Sequence, residues 1–185
     1  MKPPVILLLA ALPLPTLAQE LTTIADIALG TKQDRVIQLM IKKHDQLPRK
    51  LKSTLVYNNL ELGQYRVKYA AFYLHQDKVY QADAMVRPEK KKTLETYATI
   101  VEELKKQYGA PSMTVDEFEL PYMKGDGHHE KAFHEYKATL QDLWFFPPGS
   151  DHNNCAYSIR MEVHRDLSIT ITYTDERALQ RARQE

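Results

Sequence analysis

Residues 65–75, YRVKYAAFYLH, constrain the fold of this chain more than any other stretch. Tyr65, Val67, Tyr69, Ala71 and Tyr73 recur at every second position, the period of a strand with one face turned inward. Polar turns close the run at both ends, Leu62-Gly63-Gln64 before it and Gln76-Asp77-Lys78 after it. Two further β-type runs flank it, residues 53–62, with Asn58-Asn59 as an expected irregularity, and residues 79–86. Connections this short join antiparallel strands, because a parallel crossover needs about a dozen residues or more. The centre of the first half is therefore an antiparallel meander.

Helical patterning precedes and follows it. Val36, Ile37, Met40, Ile41 and His44 recur at helical spacing after Thr31, the expected N-cap, and Pro48 stops the run. Arg87-Pro88 breaks the sheet and opens a second helix, whose Leu94, Tyr97, Val101, Leu104 and Tyr108 line one face. Gly109 and Pro111 end it. A second β region begins with residues 113–120, and residues 124–130 (KGDGHHE) read as a polar loop. Residues 132–146 fit either period: Phe133, Tyr136, Leu140, Leu143 and Trp144 suit a helix, while the apolar tail before Pro147-Pro148 suits a strand. A hairpin follows over residues 154–164 and 166–173, with Ile159, Met161 and Val163 facing Ile169 and Ile171. Thr174 or Asp175 is expected to cap a short C-terminal helix. The expectation is an α+β domain over residues 19–185. Its antiparallel sheet has six to seven strands and is backed by two amphipathic helices. The helix-then-strands order occurs twice, which suggests an internal α-β-β-β duplication.

The first nineteen residues, MKPPVILLLAALPLPTLAQ, read as a secretory signal peptide. Lys2 is the positive n-region, residues 5–12 the apolar run, and Thr16 and Ala18 set up cleavage before Gln19. The apolar run is far short of the roughly 20 residues that span a bilayer. Gln19 and Glu20, rather than a cysteine, follow the cleavage point, so no lipid anchor is expected. The expected address is the periplasm, of Gram-negative type, or outside the cell, with no membrane insertion. Without Lys2 the 25 Lys and Arg fall to 24, against 24 Asp and Glu. A chain near zero net charge has no long-range attraction to nucleic acid or anionic lipid. Cys155 is the only cysteine, so no disulfide can form within the chain and the core must supply stability.

Three groups of residues carry candidate chemistry. His128, His129 and His134, with Glu130, offer imidazole and carboxylate ligands of the kind zinc and copper take. Their spacing does not form a helical His pair, and a glycine-flanked histidine pair in a solvated loop is commonly polar filler. Cys155, three residues after His152, invites a nucleophile reading, but no hydrolase signature surrounds it. A small core residue, or pairing with another chain, suits it better. Tyr65, Tyr69 and Tyr73 would form an aromatic face able to stack on a ligand or a partner. Burial under the helices is the favoured use, because Arg66 and Lys68 on the other face are more polar.

In outline the chain resembles the small secreted α+β proteins that include the β-lactamase-inhibitor protein and the small lipoprotein of the outer-membrane assembly machine. Leu29-Gly30-Thr31 leading into Val36, Leu39 and Met40, then the meander, carry the likeness. Tyr108-Gly109-Ala110-Pro111 ends the second helix of the same scheme. The chain departs from the lipoprotein in lacking an acylated cysteine and from the inhibitor in lacking a disulfide. The resemblance implies a binding or scaffolding role on a helix-backed sheet and transfers no functional residue. The sequence-based expectation is a non-catalytic module, without cofactor, that binds a protein or small molecule in the cell envelope. Metal binding at His128, His129 and His134 is the alternative.

Overall fold

A computed structural model describes residues 24–184. The leader expected over residues 1–18, and its cleavage point, lie outside the described residues. Two helices form where the apolar stripes fall: α1 (Gln33–His44) buries Val36 and Met40, and α2 (Thr93–Tyr108) buries Tyr97, Ile100, Val101 and Leu104. Ile41, expected in the first stripe, is instead exposed. Thr31 does not cap α1. The N-cap position falls to Lys32, with no side-chain cap, and Asp45 closes the other end in the left-handed region.

Eight strands follow among the described residues: β1 (Arg49–Leu51), β2 (Thr54–Leu62), β3 (Tyr65–His75), β4 (Lys78–Val86), β5 (Met113–Phe118), β6 (Ala138–Phe146), β7 (Tyr157–Val163) and β8 (Ile169–Asp175). They form one antiparallel sheet in the order β1-β2-β3-β4-β8-β7-β6-β5. α1 thus precedes β1–β4, α2 precedes β5–β8, and the two sets join through β4 and β8. The strand count exceeds the expected six to seven because β1, an exposed Arg-Lys-Leu edge strand, has no alternation to mark it. Residues 132–146 divide between the two readings. The chain is helical in α3 (His129–His134), turns at Tyr136 (φ 57°), and is extended in β6. A fourth helix, α4 (Glu176–Ala182), is capped as expected: the Asp175 carboxylate accepts from the Ala178 N–H at 2.9 Å.

One face of the sheet is covered. Buried residues of α1 and α2, with Phe133 of α3, join Leu55, Tyr57, Phe72, Trp144, Ile159 and Ile169 in a single core. At roughly 25 cal/mol per Å² of apolar area removed from water, such a core supplies most of the folding drive. Polar groups stitch α2 to the sheet. The buried Asp142 carboxylate accepts from the Tyr97 hydroxyl at 2.8 Å and from the Thr114 hydroxyl at 2.5 Å. The Trp144 indole N–H donates to the Gly109 carbonyl at 2.9 Å.

The expected tyrosine face is split by a β-bulge. Lys68 is an extra residue of β3 between Val67 and Tyr69 in the register with β4, and Asn59 opposite it in β2 takes φ 54°. A bulge shifts a period-two alternation by one position, so every side chain beyond it changes face. Before the bulge Val67 points into the core and Tyr65 packs against it; after it Ala70, Phe72 and Leu74 do. Tyr69 and Tyr73 therefore stand on the opposite, uncovered face. The three tyrosines do not share a surface.

Candidate functional site

Apart from β6, where Leu143 and Phe145 are buried with Cys155, the opposite face is polar and aromatic. Tyr69 and Tyr73 line a shallow groove of about 340 Å³ with Thr54, Val56 and Asn58 of β2. Beside them in β4, Asp83 is nearly buried at 9% exposure. Gln81 donates to its carboxylate at 3.1 Å, and the Tyr73 and Thr172 hydroxyls also hydrogen-bond to it. Burial pushes the Asp83 carboxyl above its ordinary value, and those three hydrogen bonds act in the opposite direction. Burial likewise raises the phenols of Tyr73 and Tyr69, with the Asp83 charge adding to both. Further across the face, Thr170 contacts His164 at 2.7 Å and Gln141 donates to Glu162 at 3.3 Å. This is a surface of hydroxyls, amides and rings held in place by each other.

A cleft of about 660 Å³ opens where the β4–α2 connection, α3 and the β7–β8 turn meet. Arg87, Lys90, Lys131 and Arg165 line it, with His128 and His134. Its two carboxylates are already engaged. Asp166 accepts from Arg87 at 2.7 Å and from the Ser168 hydroxyl at 2.5 Å, and Glu130 pairs with Lys90 at 2.6 Å. The Ser168 and Arg87 contacts hold the Asp166 carboxyl down at about 2. Arg165 lies 4.8 Å over the Tyr136 ring and donates to its hydroxyl at 3.0 Å. Leu167, the next residue but one, is buried with φ 64°. That is a rare conformation for a bulky side chain. Burying Leu167 in the core fixes the turn that carries Arg165 and Asp166.

The three histidines do not converge. His128 and His134 line the cleft, while His129 Nε2 lies 3.2 Å from the Lys90 carbonyl. Among the described residues no three His, Cys, Asp or Glu side chains are grouped so as to hold a metal ion. Four lysine and arginine side chains in the same cleft disfavour a bound cation by simple repulsion. Cys155 is buried against Leu143 and Phe145, and burial raises its thiol. Its contact with His152 runs through the backbone carbonyl at 3.8 Å, while the His152 ring packs on Phe145. Nothing in that geometry makes a thiolate.

The chain matches no protein-family model, no curated protein and no solved structure. Among the described residues no helix is long and apolar enough to cross a membrane. Sequence reasoning missed Asp83, Arg87, Lys131 and Arg165. Arg87 reads as a strand breaker beside Pro88, Asp83 lies inside the β-type run of residues 79–86, and Lys131 and Arg165 sit beside a polar loop and in a hairpin turn. Only the fold brings them to their sites.

Proposed function

We propose that this chain is an exported, non-catalytic binding protein of the cell envelope, which engages a partner polypeptide through the uncovered face of its sheet. The observation that carries the reading is the split of the tyrosines. Tyr69 and Tyr73 stand half-buried on the open face, where rings with polar tips make good interface anchors. Their groove is shallow, which suits an extended partner surface better than an enclosed small molecule. The leader-like residues 1–18 support export. The repeated order of one helix and then four strands supports an internal duplication and the resemblance to the small secreted α+β binding proteins.

Two experiments test this. A reporter enzyme that folds only after export, fused behind residues 1–30, is expected to become active, and a silent fusion removes the address. A photo-crosslinking residue at Tyr69 or Met85 is expected to trap one defined envelope protein in living cells. The same residue at Gln38, on α1, is expected to trap none. Equal trapping at all three positions would sink the open-face reading.

A further inference from the structure

We propose that the cleft between the β4–α2 connection, α3 and the β7–β8 turn is a binding site for a dianionic phosphoryl group. This site is separate from the open-face surface and does not depend on it. Four permanent cations line it against two carboxylates, leaving an excess of two positive charges before either histidine is counted. A chain close to neutral overall has no general reason to gather them there. They arrive from three separate segments: Arg87 and Lys90 from the β4–α2 connection, Lys131 from α3, and Arg165 from the β7–β8 turn.

The carboxylates orient the cations rather than cancel the site. Asp166 is tied to the Ser168 N–H at 3.1 Å and to its hydroxyl, and holds Arg87 by one guanidinium nitrogen. A guanidinium carries five N–H donors, so Arg87 and Arg165 keep donors beyond those given to Asp166 and Tyr136. Stacking on Tyr136 restrains Arg165 without neutralising its charge. Lys131 lies 3.9 Å from the Glu135 carboxylate and 6.0 Å from the centre of the Tyr122 ring. Arginines restrained in this way suit the fork geometry of phosphate oxygens. A single carboxylate would neutralise half of the excess charge; a phosphate monoester matches it. The volume of about 660 Å³ is large enough for a phosphoryl group with part of the molecule that bears it.

The phosphoryl group can come free or on a lipid headgroup, and the test separates the two sources. Full-length protein is titrated with inorganic pyrophosphate while the His128 and His134 imidazole signals are followed by NMR. In parallel, its flotation is measured with vesicles of phosphatidic acid and with vesicles of phosphatidylcholine alone. Saturable shifts of both imidazoles, weakening as salt is raised, are expected. Flotation with phosphatidic acid alone would assign the source as a lipid, and its absence would assign a soluble phosphate. Removing one charge-assisted contact should weaken pyrophosphate binding about tenfold. That loss is expected for Arg165→Gln and for Lys131→Gln, both at exposed positions, and not for Lys43→Gln, which pairs with Asp26 away from the cleft. No saturable shift at millimolar pyrophosphate together with no flotation overturns the proposal. So does binding that both cleft variants retain in full.

Discussion

The two faces of the sheet are built from the same strands and reach opposite solutions. On the covered face, polar groups are few, buried and used to fix a helix, as when Asp142 takes two hydroxyl donors from α2 and β5. On the open face, a buried carboxylate sits among side chains that still meet water, and Asp83 is held by Gln81, Tyr73 and Thr172 across three strands. The first arrangement gives rigidity. The second keeps a patterned polar surface in place without hiding it, which is what a recognition surface needs.

The largest effect is expected under the helices. Trp144 is 1% exposed, and Trp144→Ala should cost about 3–5 kcal/mol in denaturant unfolding. A loss below 1 kcal/mol would mean that the covered face is not the stabilising one. Next come two identical substitutions of opposite sign on that face. Tyr97→Phe strips a donor from buried Asp142 and should cost about 1–3 kcal/mol. Tyr57→Phe should be neutral or stabilising by up to about 1 kcal/mol, because the buried Tyr57 hydroxyl has no hydrogen-bond partner among the described residues and burial pushes it up to about 12. Equal destabilisation by both would break this account of the core.

The open face should respond to pH. Because the folded-state value of Asp83 is raised, its contribution to stability is complete below the ordinary carboxylate value and is lost as pH rises through the folded value. Asp83→Asn removes that loss, so the variant should gain on the natural protein as pH climbs out of the acid range. A constant difference across that range would remove the burial argument. The smallest effect is expected at Tyr69→Ser, about 1 kcal/mol or less at a half-buried strand position, yet with loss of the partner trapped from Met85. A large stability cost there would place Tyr69 in the core after all.

Much of the fold was legible because its signals are local. The strand over residues 65–75, the stripe of α2, the Gly109 stop and the Asp175 cap each act within a few positions, and each stands where the chain places it. The misreadings have two causes. Asn58-Asn59 did mark an irregularity in β2, but its consequence in β3 depends on Lys68, a residue with no special backbone signature. The short edge strand β1 and the six-residue α3 carry too little periodicity to be read at all.

The sequence by itself determined the two long helices, the antiparallel pairing of the meander and the inward face of α2, because short-range sterics and periodic burial act along the chain. Only the tertiary structure decided which tyrosines face solvent, how β4 and β8 join the halves into one sheet, and that Arg87, Lys131 and Arg165 share a cleft. Those outcomes depend on register and on contacts between segments far apart in the chain. No local pattern of residues encodes them.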